Sequence, residues 1–334
     1  MPIGAHMSVA GGLHTAFERG QQAGCDTMQI FSKNASRWVA KPLEEEEVAT
    51  FRRARAASPL APLLIHDSYL INMGTAAEEM WQKSINAFLE ELERADALGV
   101  DYLVTHSGAH VGAGAAVGHQ RLAAALNQIT SQRNPLRPDG TPATMILLET
   151  NAGQGSCLCR SFAEMAEVFG RLSEPEQVAI CFDTCHVFAS GYDMRTPAGY
   201  TATMAEFDRL IGLDKLRAFH VNDSLKGVGS LVDRHAHIGQ GELGLSFFHA
   251  LVNDPRFKQV PMILETEKDE TMSEDVANLA VLRALVGCEA NELAAVQALA
   301  MQTGVAESQK RAAAKAKKAR GGKAVTDEAE QEVL

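Results

Sequence analysis

Short apolar runs recur along this chain of 334 residues, and between them lie longer stretches whose apolar residues return near every 3.6 positions. The runs are PIGAHMSVA, TMQIFSK, LAPLLIHD, DYLVTHSG, ATMILLET, VAICFDTCH, LRAFHVND and PMILETE. Their residue types and flanking turn signals predict strands. The stretches LEEEEVATFRRARAA, EEMWQKSINAFLEELERADALG and SFAEMAEVFGRL predict amphipathic helices between them. Eight such alternations, spaced roughly 25 to 45 residues apart, are the pattern of a single (β/α)8 TIM barrel. A doubly wound open sheet is the competing arrangement, but no G-x-G-x-x-G follows the first run.

The pattern places the barrel in residues 1–286 and predicts one further outer helix over 287–304. Residues 305–334 are biased in composition, basic first and acidic last. Such a tail reads as a solvated, disordered appendage or as a flexible phosphate-binding arm.

The ends of the runs carry the chemistry. From the third onward, each finishes in a polar residue able to hold a metal: His66, His106, Glu149, Asp183, His220 and Glu265. In a barrel the C-terminal ends of the strands meet on one face, where active sites are built. Six consecutive strands ending this way point to one metal site. His186 joins Asp183 in VAICFDTCH, and VDRHAHIG adds Asp233 and His235, which point the same way if the backbone is extended. Nine candidate ligands exceed the four that one zinc takes and suit two or three ions sharing a carboxylate. Glu149, flanked by ligands on neighbouring strands, is the expected bridge. Ions clustered roughly 3.5–4 Å apart serve in-line displacement at phosphorus. His14, His110, His119 and His249 fall in loops or helical stretches and are expected at the surface. His6 and His237 are read as lining the pocket at most.

Composition narrows the class. An apolar fraction of 46% is ordinary for a globular protein. The first residues, MPIGAHMSVAGG, lack the basic and apolar regions of a signal peptide, and no apolar run approaches the roughly 18 residues of a membrane span. A cytoplasmic protein, not secreted, is expected. The six cysteines, among them Cys157, Cys159, Cys181 and Cys185, have no zinc-finger spacing and read as reduced thiols. A net charge of −11 alone argues against nucleic acid, but carboxylates that bind cations count as negative in that sum.

The segments GAHMSVAGG, IHDSYLINMG, ILLETNAGQGS, FDTCHVFASGYD and HVNDSLKGVGSLVDRHAHIGQGELG resemble the signature segments of the endonuclease IV family of apurinic/apyrimidinic endonucleases, over residues 4 to about 267. The resemblance implies a (β/α)8 barrel with three Zn2+ ions, Mn2+ suiting the same ligands. It implies that His66, His106 and Glu149 hold one ion, that Glu149, Asp183, His220 and Glu265 hold the second, and that His186, Asp233 and His235 hold the third. Glu149, Asp183 and Glu265 carry the catalytic role on this reading. The implied activity is hydrolysis of the phosphodiester 5′ to an abasic site in double-stranded DNA, leaving a 3′-hydroxyl and a 5′-deoxyribose phosphate, with trimming of blocked 3′ ends. Tyr69 and Leu70 match the family's wedge positions, where apolar and aromatic side chains suit insertion between base steps. The sequence departs from the family at KNASRW, where Ser36 occupies the place of an arginine and Arg37 follows one position later. Lys33, Arg37, Lys226 and Arg234 lie in or beside segments expected on the ligand face and are candidate phosphate contacts. Lys310, Arg311, Lys315, Lys317, Lys318, Arg320 and Lys323 of the tail are candidates for non-specific DNA affinity. A sugar isomerase or epimerase barrel is the second reading, and a DNA-binding barrel without chemistry the third. Nothing in the sequence signals an obligate dimer, so a monomer is expected.

Overall fold

The computed structural model describes residues 1–302. Each apolar run becomes a strand: β1 (Ile3–His6), β2 (Thr27–Phe31), β3 (Leu63–His66), β4 (Tyr102–His106), β5 (Met145–Glu149), β6 (Val178–Asp183) and β7 (Leu216–His220). A short antiparallel pair, β8 (Asp223–Ser224) and β9 (His235–Ala236), precedes the last barrel strand, β10 (Met262–Leu264). Strands β1 to β7 and β10 close in the order β1-β10-β7-β6-β5-β4-β3-β2, every neighbour parallel. The (β/α)8 barrel expected from the pattern is therefore the fold.

The outer ring consists of α1 (Thr15–Ala23), α2 (Glu45–Ala57), α3 (Glu78–Leu98), α4 (Ala115–Ser131), α5 (Phe162–Phe169), α7 (Pro197–Leu210), α8 (Leu245–Val252) and α9 (Ser273–Leu285), while the short α6 (Thr184–Ser190) lies at the mouth against β6 and β8. Helix α3 shows why these stretches are helical. Trp81, Ile85, Phe88, Leu92 and Ala95 recur at three- and four-residue spacing and are all buried, and Gly99 ends the helix at φ 75°. Residues 293–302 are helical too, and Val296 and Ala300 join the outer core. The tail at 305–334 lies outside the described residues.

Two apolar layers hold the barrel. The larger fills the space between strands and helices. The smaller plugs the interior and consists of Leu64, Val104, Leu147, Ala179, Cys181, Ala218 and Ile263. Side chains alternate across a strand, so a residue two positions beyond an interior one also points inward. Two positions after Leu64, Val104, Leu147, Cys181, Ala218 and Ile263 stand His66, His106, Glu149, Asp183, His220 and Glu265. The period of the sheet thus seats all six predicted strand-end residues on top of the interior plug. Among the described residues no helix is long and apolar enough to cross a membrane, and all six cysteines are free.

One expectation among the histidines fails. His119 is buried between α4 and α5, with its ring nitrogens facing Glu167 at 3.2 Å and Glu164 at 3.6 Å on α5. A polar residue on the inner face of a helix is tolerated where a neighbouring helix supplies carboxylates. His14 is exposed, and His110 and His249 are half-buried.

Candidate metal centre

The nine candidate ligands converge on one mouth of the barrel. His66 Nε2 and His106 Nε2 each lie 3.3 Å from Glu149 Oε2. On the other oxygen of Glu149, His220 Nδ1 stands 2.8 Å away and His186 Nδ1 3.4 Å. His220 Nδ1 also faces Glu265 Oε2 at 3.0 Å and Asp183 Oδ2 at 4.0 Å. Asp233 comes from the loop between β8 and β9 and reaches His186 Nε2 and His235 Nε2, both at 3.2 Å. Ligand atoms of His66, His106 and Glu149 form one compact group, those of Glu149, Asp183, His220 and Glu265 a second, those of Asp183, His186 and His235 a third and those of Cys185, Asp233 and His235 a fourth, so the expected set of His186, Asp233 and His235 is divided between the last two.

The stretch ICFDTCH now has a local explanation. Asp183 ends β6 and caps α6, its Oδ1 accepting the His186 backbone N–H at 2.7 Å. The cap fixes the turn that returns His186 to the mouth, where His186 Nδ1 lies 2.9 Å from the Thr150 carbonyl. The Asp183 side chain keeps its second oxygen, which receives the Asn222 amide at 2.8 Å.

The electrostatics are those of opposite charges sharing a dry site. Burial pushes every carboxyl up and every imidazole down, yet the contacts between them win at most positions. Glu149 and Glu265 are held well below the usual carboxylate range, burial being outweighed by His220 and its neighbours. His220 and His186 are driven well above the ordinary imidazole range against burial, by the carboxylates that face them among other groups. His66 and His235 rise to about 9 for the same reason. Desolvation dominates at His106, which falls to about 4, and at Asp183, which rises.

These side chains fit divalent cations. The Nε2 atoms of His186 and His235 are buried and make no hydrogen bond, although an Asp233 oxygen lies near each. Buried imidazole nitrogens without partners are rare unless something else satisfies them. Imidazole nitrogen and carboxylate oxygen in these groupings suit zinc and manganese.

Several residues that complete the site carried no sequence signal of their own. Asp67 lies between His66 Nδ1, at 3.6 Å, and the Thr105 hydroxyl, which donates at 2.6 Å. Asn222 links Asp183 to the backbone N–H of Glu265, which its Oδ1 accepts at 2.8 Å. Asp223 is fully buried and accepts the backbone N–H groups of Gly239, Gly241 and Leu243 at 3.0 to 3.1 Å. That clamp holds the loop carrying His237, whose Nδ1 is 2.9 Å from Asn278 Nδ2. Asn222 and Asp223 stand two and three positions after His220, the end of β7, so position alone was the available clue.

A cavity of about 570 Å3 opens over the cluster, with Phe31, Tyr69 and Leu225 on its apolar wall and Arg234 and Lys268 on its rim. Tyr69 is 63% exposed and stands edge-on to Phe31, the ring centroids 5.5 Å apart. Leu70 beside it is half-buried. Arg37, Lys226 and Arg234 are exposed. Lys33 is not: its ammonium is buried between Glu90 at 3.3 Å and Glu91 at 3.6 Å, so it is withdrawn from the set of candidate phosphate contacts.

The model of the xylose isomerase-like TIM barrels matches residues 17–285. Fold and site together define a TIM-barrel enzyme with a multi-ligand centre at the C-terminal mouth. The probable endonuclease 4 of Chloroflexus aurantiacus is 51% identical over 285 residues, 85% of this chain and 98% of that protein. That of Geobacter sulfurreducens is 48% identical over 284 residues, 85% of this chain and 94% of its own length. The crystal structure of endonuclease IV from Thermus thermophilus superposes with a TM-score of 0.74 at 34% identity, covering 86% of this chain and 99% of that one. The chain belongs to the endonuclease IV family.

Proposed function

We propose that this protein is a metal-dependent DNA repair hydrolase of the base excision pathway, cutting the phosphodiester 5′ to abasic sites and leaving a 3′-hydroxyl and a 5′-deoxyribose phosphate. The observation that carries the proposal is the convergence of nine His, Asp and Glu side chains on one mouth, with Glu149 shared between two groups. We assign three Zn2+ ions: one to His66, His106 and Glu149, one to Glu149, Asp183, His220 and Glu265, and one to His186, Asp233 and His235, the last supported by the 3.2 Å approach of Asp233 to both imidazoles, with Mn2+ suited to the same donors. Bound there, such ions supply Lewis-acid stabilisation of phosphate charge and acidify water.

The chain's own residues do the rest. Glu149, Asp183 and Glu265 fix the spacing of the donor groups, because Glu149 and Asp183 end strands whose direction the ladder sets and Glu265 follows the last residue of β10. Tyr69, with Leu70 behind it, is the wedge that fills the gap left by an extruded nucleotide. An abasic site has already lost a stacked base, so its extrusion costs less than that of an intact nucleotide. Phe31 and Leu225 give the extruded sugar an apolar wall. Arg37, Lys226 and Arg234 hold phosphates on either side, which positions the duplex without reading its sequence. The tail at 305–334 adds affinity of the same unspecific kind. The same site accommodates a blocked 3′ end, so 3′ phosphodiesterase trimming belongs to the proposal. We take the protein to act in the cytoplasm as a monomer.

The test is cleavage of a duplex carrying one tetrahydrofuran abasic analogue, with metal content measured by mass spectrometry on the same preparation. The analogue cannot undergo β-elimination, so a 5′ cut leaving a 3′-hydroxyl is hydrolytic. That cut with close to three metals per chain supports the reading. No cut by fully metallated protein overturns it and favours a sugar isomerase or epimerase.

A further inference from the structure

Gln29 sits on β2, between the strands that end in His6 and His66, and is fully buried. It is not a ligand type for zinc, and its carboxamide makes three contacts within the centre. Its Nε2 lies 2.6 Å from Glu265 Oε1 and 3.0 Å from His6 Nδ1. Its Oε1 lies 2.9 Å from His220 Nε2. These contacts determine where the protons are. An ionised carboxylate only accepts, so the amide group must face Glu265 and the carbonyl must face His220. A carbonyl only accepts as well, so His220 Nε2 must carry the hydrogen. The other nitrogen, Nδ1, then points at Glu149 Oε1, Glu265 Oε2 and Asp183 Oδ2, among the carboxylates of the second group. The same amide group donates its remaining hydrogen to His6 Nδ1, which occupies that lone pair.

We propose that Gln29 is a positioning residue for the metal centre: it locks His220 in the tautomer that presents Nδ1 to a cation, orients Glu265, and keeps His6 out of the ligand set. The inference rests on the metal-dependent reading above and goes beyond it, because a residue from a strand without a ligand of its own then sets the second group. It also explains why His6 lines the cavity beside Glu265 without joining the grouped ligand atoms. Partners that orient a ligating imidazole through its other nitrogen generally change metal affinity by about tenfold to a hundredfold when removed.

The experiment compares zinc-loaded wild type with Gln29→Met, which keeps length and loses both the donor and the acceptor. Zinc is withdrawn by a chromophoric chelator of graded concentration, and the metal remaining per chain is counted. One ion leaves the variant at about tenfold to a hundredfold lower chelator concentration, while the ion on His186, Asp233 and His235 is held as in wild type. Equal retention in both proteins overturns the proposal. So does uniform loss of all ions together with a lowered melting temperature, which marks a merely structural role. Heteronuclear NMR of isotope-labelled histidine in the loaded wild type gives a second check that survives any folding defect of the variant. His220 protonated at Nε2 with Nδ1 on the metal is expected, and the reverse tautomer refutes the inference. A wild-type protein that takes up no zinc at all would instead remove the metal-dependent reading itself.

Discussion

Glu149→Gln isolates the shared carboxylate. Glu149 is almost fully buried, and its two oxygens face four imidazole nitrogens, His220 at 2.8 Å, His66 and His106 at 3.3 Å and His186 at 3.4 Å. Glutamine keeps the shape, removes one negative charge and turns one oxygen into an amide that cannot accept. Whichever way the amide turns, one imidazole, His66 through Nε2 or His220 through Nδ1, loses its acceptor on this side chain. A charge-assisted contact contributes about 1.5–3 kcal/mol. At about 1.4 kcal/mol per factor of ten, cleavage under single-turnover conditions falls by about tenfold to a hundredfold. The assay is single-turnover incision of the tetrahydrofuran duplex at saturating enzyme, with metal content and circular dichroism on the same sample. The fold persists, because the barrel ladders and both apolar layers are untouched. A folded, metal-replete variant that cuts as fast as wild type would refute the bridging role.

Tyr69→Ala removes the exposed ring at the mouth, and stacking of a base on an aromatic contributes about 1–3 kcal/mol. Its dissociation constant for abasic duplex should rise about tenfold or more with unchanged metal content, and an unchanged constant would disprove the wedge. Deleting 305–334 should weaken DNA binding and flatten its dependence on salt, by up to about 0.9 in logarithmic slope for each phosphate no longer neutralised, with little change in saturated turnover. An unchanged slope argues against a phosphate-binding tail. At the far end of the barrel, burial raises Asp96, but the Thr144 backbone N–H at 2.7 Å and the Arg133 guanidinium at 2.8 Å outweigh it and hold the carboxyl below its ordinary value. A depressed folded value stabilises the protein above the unfolded pKa of about 3.9, and that contribution is lost as pH falls through the folded value. Asp96→Asn should therefore lower stability at neutral pH and narrow the gap to wild type below about pH 4 in denaturant titrations; a constant gap would contradict the assignment.

Six of the nine candidate ligands were legible because a strand has a period of two. Once Leu64, Val104, Leu147, Cys181, Ala218 and Ile263 are interior, the residue two places on shares their face, and no tertiary information is required. His186 was legible as a neighbour of Asp183, although the capping bond that turns it inward belongs to the folded loop. Asp233 and His235 were expected to align on extended backbone; in the structure they meet through the loop between β8 and β9, 3.2 Å apart. Lys33 illustrates the converse: its place after β2 was correct, but Glu90 and Glu91 come from a helix about 57 residues away in sequence, and pairing over that distance leaves no local trace.

The sequence by itself determined the eight strands, their faces and the residue types at their ends, since periodicity and turn chemistry are properties of short segments. Tertiary structure decided the register. The ladders set His106 beside Glu149 and Asp183 beside His220, and closure of β1 onto β10 brings Glu265 to Gln29, some 236 residues away. Which nitrogen of His220 faces the carboxylates, and which faces Gln29, follow from that closure. Hydrogen bonds between distant strands carry no periodicity, and so they exist only in the folded barrel.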